Sequence, residues 1–292
     1  MIKGVTSKTG EVFEALSNLD IIKDYVLVGG TALSLQLNTR LSEDLDFMKW
    51  KKTKNDKPEI PWDKINKELS NLGLGKVKVE VLGFEQALFE VADVKLSFYS
   101  RDSYSPKGLQ RVPFHNNVAV ADINSIGVMK IDAMLRRNSF RDYYDLYSIL
   151  KNGTDINDLL DKANDYSGHV TKRTNLISII SNGDKFFRDK GFEKLNPIYN
   201  ISNEEIADFI KKRIESIKLF TEQEIPQSEL AKLGLSLSDI TPENKELLLM
   251  GKQTNAISID KLKGKSVRLS LSNENNSINL VCCLCRESFE IT

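Results

Sequence analysis

The chain is short of cysteine and histidine, has no long apolar run, and carries no excess of either charge. Its three cysteines, Cys282, Cys283 and Cys285, crowd into VCCLC, too close together for a zinc ribbon and with no histidine beside them. They read as buried thiols on a strand. No stretch approaches the ~18 apolar residues of a membrane span, and the opening MIKGVTSKTGEVFEAL has no apolar h-region. The expected location is therefore the cytoplasm, with no membrane partner. Forty-one basic side chains balance 41 acidic ones, so contact with nucleic acid has to come from a local patch rather than from net charge.

What remains is an ordinary globular composition with three successive textures. Residues Ser7 to Ile22 place Val12, Phe13, Leu16, Leu19 and Ile22 at helical spacing. A short strand at Tyr25 to Val28, a helix at Thr31 to Leu37, a strand at Leu45 to Met48 and a helix at Trp62 to Leu72 are expected next. KVKVEVL, ALFEVADVKLSFYS, LQRVPF and VAVADI then alternate like strands. From Asn124 the period lengthens to ~3.6. INSIGVMKIDAMLRRN sets Ile126, Met129, Ala133 and Met134 on one face, and RDYYDLYSILKNG ends at Gly153, a C-cap glycine. Further helices are expected at Ile156 to Asn164, Thr171 to Ile180 and Asn203 to Phe220. Beyond Glu224 two short helices and a hairpin around NENN read as a separate module. The expected domains are an α/β domain at 1–122, a helical domain at 123–222 and a small accessory module at 225–292.

The chemistry concentrates in VLVGGTALSLQLNTRLSEDLDF. On a strand, Asp44 and Asp46 project to the same side. Two carboxylates so placed are costly unless a cation sits between them, and all-oxygen ligation favours Mg²⁺ or Mn²⁺. Upstream, Gly29-Gly30-Thr31 at a strand-to-helix junction lets backbone amides approach a phosphate, with the helix N-terminus adding positive partial charge. A phosphate cradle before a metal pair suits nucleotidyl transfer. In the second block, Lys130 and Arg137 are seven apart and flank an apolar strip, which sends both to a cleft edge, while Asp142 and Asp145 share a helix face. A lysine there neutralises leaving phosphates, and an aspartate orients it or accepts a proton. Phosphorylation of Ser42, two residues before Asp44, would set negative charge against the metal pair and repel nucleotide.

VGGTALSLQLNTRLSEDLDF, then VKLSFYS, then INSIGVMKIDAMLRRNSFRDYYDLYSIL resembles the nucleotidyltransferase-fold toxins of the AbiEii/AbiGii and MenT type, over residues 10–152. That family is a branch of the polymerase-β-like nucleotidyltransferase superfamily. The resemblance implies an α/β (α+β) sheet domain completed by a helical half. It also implies that Gly29, Gly30 and Thr31 hold phosphates of an NTP, that Asp44 and Asp46 bind metal, and that Lys130, Asp142 and Asp145 are the other essential positions. One position departs from the pattern: VKLSFYS offers Ser97 where many relatives of the superfamily carry a third carboxylate, with Glu80 or Asp93 as substitutes.

The implied activity is that of a toxin of a toxin–antitoxin or phage-defence pair. It would move a nucleotide monophosphate from an NTP to a hydroxyl, with the tRNA 3′ end as the favoured acceptor and a cognate antitoxin as partner. Arg136, Arg137 and Arg141, Lys172 and Arg173, and Lys211, Lys212 and Arg213 are the basic groups available to an RNA backbone. One alternative keeps the chemistry and changes the acceptor to a small molecule or protein; another is a GTP-binding interaction module without turnover. Residues 225–292 resemble, through LAKLGLSLSDITPENKELLLMGKQT, a small uncharacterised domain found in proteins of bacterial mobile elements.

Overall fold

The computed structural model describes residues 2–51, 53, 55, 59–104, 110–167, 172–188, 191–222, 267–271, 278–282 and 288–291. It divides into two compact units, Met1–Lys212 and Arg213–Thr292.

In the first unit α1 (Ser7–Leu16) is capped by Thr6, whose side chain accepts from the Thr9 amide. The helix stops six residues before the expected Ile22. Ser17 and Asn18 both bond back to the Glu14 carbonyl, which offers the backbone a local alternative to another turn. A 3₁₀ turn at Asp20–Asp24 still buries Ile21 and Ile22. Then come β1 (Val26–Val28), α2 (Gly29–Leu37), β2 (Leu45–Lys51), α3 (Trp62–Ser70), β3 (Lys78–Leu82), β4 (Gln86–Val91), β5 (Val94–Tyr104), β6 (Arg111–His115) and β7 (Val118–Ala121). The strands form one mixed seven-stranded sheet in the order β3-β4-β5-β2-β1-β7-β6.

The sheet has two unequal faces. Leu45 and Phe47 of β2, Leu96 and Phe98 of β5, and Ala87, Phe89 and Val91 of β4 are buried. Phe98 is at their centre, with Phe47 stacked at 5.3 Å and Tyr25 and Phe89 edge-on at 5.2 and 6.1 Å. The alternate residues of the same strands, Asp46, Met48, Trp50, Ser97, Tyr99, Arg101 and Leu88, are only partly buried. β3 departs from its alternating sequence, because every one of its residues is exposed. It is an edge strand, and the register slips between Val79 and Val81, so neither face is shut.

The helical stretch holds α4 (Ile123–Met134), α5 (Phe140–Lys151), α6 (Ile156–Ser167), α7 (Arg173–Ile180) and α8 (Asn203–Glu222). α4 packs against α2, α5, α6 and α7. It is consequently not a one-sided amphipathic helix: Lys130, Ile131 and Asp132 are buried, whereas Met129 and Ala133, expected on the core face, are partly exposed. In the second unit β8 (Val267–Leu271), β9 (Ile278–Cys282) and β10 (Ser288–Ile291) form an antiparallel sheet in the order β10-β9-β8. The expected hairpin is β8–β9, and its second arm, INLVCCLCRESFEI, supplies two strands rather than one. Cys282 ends β9; Cys283, Cys285 and the two short helices expected after Glu224 lie outside the described residues.

Candidate functional site

Asp46 sits in the middle of the sheet, opposite Val28 on β1 and opposite Ser97 on β5. Val28 is the last residue before the chain turns into α2, so the acid and the helix start are neighbours by register. The turn depends on glycine. Gly29 has φ +71°, and a Cβ added to it would come within 3.0 Å of Asp46 Oδ2. α2 begins without a side-chain cap and without an acid in its first turn, so no residue of the helix itself offsets its positive end beside Asp46. At Gly30 the close approach is internal: an added Cβ would sit 2.4 Å from Arg40 Nη2.

Burial lifts the Asp46 carboxyl above its ordinary pKa, and the charge of Asp44 adds to the rise. A hydrogen bond from Ser97 and the charges of Lys130 and Arg137 pull the other way without cancelling it. Asp44 is partly buried and lies one residue ahead of β2, not within the strand as expected. Its carbonyl accepts from Thr31 Oγ1, which also lies 2.7 Å from Ser42 Oγ. Thr31 is 2% exposed, so its hydroxyl anchors the 42–44 segment and is not displayed to a phosphate. Ser42 is 6% exposed, and its backbone bonds to Gly4 and Thr6, so a modifying enzyme meets a closed hydroxyl in this conformation.

Neither substitute for a third carboxylate is at hand. Glu80 is on β3, separated from β2 by β4 and β5, and its neighbour is Lys78. Asp93 is in the exposed β4–β5 turn, paired with Lys8 at 2.5 Å. Ser97 occupies the position beside Asp46. Among the described residues no group of three or more Asp, Glu, His and Cys side chains is arranged to hold a metal. Two acids with free coordination positions are what Mg²⁺ ordinarily takes from a protein when substrate phosphates and water complete its shell, so the pair fits such an ion.

The second block makes a different object. Asp145 is fully buried and accepts a two-pronged bond from Arg40, Nε to Oδ1 and Nη2 to Oδ2, both 2.8 Å. Lys130 Nζ bridges Asp145 Oδ2 at 2.6 Å and Asp142 Oδ1 at 2.7 Å. Arg137 closes the far side of Asp142 through Nε at 2.6 Å and Nη2 at 3.0 Å. Burial alone would raise both carboxyls, but the cations outweigh it: Asp142 is lowered to about 2 and Asp145 is also lowered. The same balance raises Lys130, whose desolvation is more than offset by the two aspartates. Lys130 is thus not at a cleft edge; it is 5% exposed. Arg137 lies beyond the end of α4, with its side chain 64% exposed and within electrostatic range of Asp46. Arg40, a lone cation in the quoted stretch to which no local motif assigns a role, ties this network to the Gly30 turn.

The basic groups considered for RNA are largely engaged. Arg136 pairs with Asp132, Arg137 with Asp142, Arg173 with Asp161 and Asn157, and Lys211 with Asp208. Arg141 lies 3.8 Å from Glu43. Among the described residues no helix is long and apolar enough to cross a membrane.

The family model described as nucleotidyl transferase AbiEii toxin, type IV toxin–antitoxin system, matches residues 12–233. An uncharacterized protein of Aquifex aeolicus is 27% identical over 213 residues, 70% of this chain and 93% of that protein. Among solved structures, the nucleotidyltransferase toxin MenT4 of Mycobacterium tuberculosis aligns over 82% of this chain and 90% of its own, with 13% identity and a TM-score of 0.42. The Megavirus polyadenylate synthase aligns over 92% of this chain and 53% of its own, with 11% identity and a TM-score of 0.29.

Proposed function

The chain belongs to the AbiEii family of nucleotidyl transferase toxins, and from that premise we propose that it transfers a nucleotide monophosphate from an NTP to an RNA hydroxyl, most favourably the 3′ end of tRNA. One observation carries the reading: Asp46, with a raised pKa and Asp44 nearby, lies against Gly29 at the uncapped start of α2. Acids short of a cation beside amides short of an anion suit a metal–triphosphate complex.

In this reading Asp44 and Asp46 hold a divalent ion, Mg²⁺ or Mn²⁺, whose charge would offset the charge developing at the α-phosphate. The Gly29 and Gly30 amides bind the triphosphate tail. Arg137, exposed on one side and fixed by Asp142 on the other, meets the leaving pyrophosphate. Lys130, Asp142 and Asp145 act by position. They hold Arg137 and, through Arg40, the Gly30 turn, and carboxylates with pKa values held so low are poor proton acceptors. The acceptor hydroxyl attacks the α-phosphorus in line and gives up its proton to solvent, the bond from that phosphorus to the oxygen bridging to the β-phosphate breaks, and pyrophosphate leaves. The setting is the cytoplasm, with a cognate antitoxin restraining the activity, in phage defence or a related stress response.

The test is labelling of RNA from a radioactive NTP. Asp44→Ala should lower the rate ~10²–10³-fold. Transfer at the wild-type rate would show the acid assignment to be wrong, and sequencing RNA 3′ ends after induction would report acceptor and added base together. Ser97 in place of a third acid favours a second reading, a GTP-binding module without turnover. Nucleotide binding with no pyrophosphate release against any acceptor would select it.

A further inference from the structure

The partly open face of the sheet continues beyond Asp46. Along β2 the same face carries Met48 and Trp50, and along β5 the register partners of these three residues are Ser97, Tyr99 and Arg101. At ~3.3 Å per residue Trp50 is ~13 Å from Asp46, comparable with the span from a 5′-phosphate through ribose to the far edge of a base. We propose that this strip seats an unpaired nucleobase of the substrate, with Trp50, Tyr99 and the Arg101 guanidinium as stacking surfaces. The proposal rests on the nucleotidyl-transfer reading and adds to it the residues that grip the base.

Three observations carry it. Among the described residues the Arg101 side chain has no hydrogen bond or ion pair; its guanidinium lies over the Tyr166 ring, 5.1 Å from the centroid. Tyr166 is 7% exposed, so it backs the cation from α6 and leaves the partly buried Arg101 as the accessible plane. An arginine so braced and without an acid is a stacking partner for a base. Second, polar atoms near the far end of the strip are unsatisfied. Trp50 Nε1 and Asp132 Oδ1 are shut from water with no partner among the described residues, and Asp132 and Arg136 lie within electrostatic range of Tyr166. Third, the composition is wrong for a docked helix or lipid. The strip mixes one sulfur, two aromatic rings, the Ser97 hydroxyl and a cation with no acid partner among the described residues, whereas Leu45, Phe47, Leu96 and Phe98 are on the sealed face. π-faces and a guanidinium suit a flat, polar-edged ring whose own phosphate is at Asp44 and Asp46.

Trp50 itself reports on the site, since the chain has only one other tryptophan, Trp62, at the start of α3. In the Trp62→Phe protein, Trp50 fluorescence is titrated with each NTP plus Mg²⁺, with inorganic tripolyphosphate, and with a short RNA bearing a free 3′-hydroxyl. Saturable quenching by an NTP but not by tripolyphosphate assigns the strip to the incoming base. Quenching by the RNA alone assigns it to the acceptor's terminal base. Arg101→Gln should then raise KM for that same substrate about ten-fold, with a smaller change in kcat. If equilibrium dialysis shows NTP and RNA bound while Trp50 fluorescence is unchanged, the assignment is overturned and the transfer reading stands. If neither binds, the transfer reading falls and takes the assignment with it.

Discussion

Two groups of aspartates share the first unit and have opposite electrostatics. Asp44 and Asp46 form a pair in which burial and like charge raise Asp46, and the nearest cations do not neutralise it. Asp142 and Asp145 are buried more deeply, yet Arg40, Lys130 and Arg137 bring both carboxyls below their ordinary range. The direction of the shift separates an acid waiting for a cation from an acid that already has one. In the proposed reading the first kind meets metal and substrate, and the second braces the fold.

Mutation is the strongest way to break this comparison. Arg40→Ala should destabilise the protein by about 3–5 kcal/mol, because Asp145 is left charged and buried, whereas Asp46→Asn should leave stability level or higher. Urea denaturation of the two variants measures the difference; equal losses would erase the distinction. Metal sharpens it at a smaller scale. At 100 times its Kd, Mg²⁺ should stabilise the wild type by ~2.7 kcal/mol and leave Asp46→Asn nearly unmoved, read as a shift in Tm.

Acid gives the smallest effect. Asp142 is depressed on folding, so its contribution is present above the unfolded value of 3.8 and is lost as pH falls towards about 2. That contribution is on the order of 2 kcal/mol. Asp46 is raised on folding, so it protonates before Asp142 and its protonation relieves the fold. Asp142→Asn should therefore flatten the acid limb of stability, and Asp46→Asn should not. A pH titration of the denaturation midpoint decides it.

Much of this was legible in the chain because it is local. A strand stopping at two glycines, a helix after them and an Asp-x-Asp on the next strand are short-range signals, and β1, α2 and β2 form where they indicate. The strands of the seven-stranded sheet were likewise visible from their alternation and turn residues. Burial was harder to read. Lys130 and Asp132 belong to a helix enclosed by four others, and no amphipathic pattern announces a charged residue packed inside. Arg40 stands inside the quoted stretch, between Gly29-Gly30-Thr31 and Asp44, as one cation among 41, and its partner Asp145 is 105 residues away. Thr31 looked free because its partners, the Ser42 hydroxyl and the Asp44 carbonyl, return to it only when the 42–44 segment folds back.

The sequence by itself determined which segments become strands and helices, where glycine is required, and which acids follow the start of α2. Those follow from periodicity, backbone freedom and spacing, which act over a few residues. Only the tertiary structure decided which aspartates have cations and which lack them, since that depends on side chains brought together across a hundred residues and on how much water the packing excludes. Charge identity is written in the chain, but the energy of a charge is set by its surroundings.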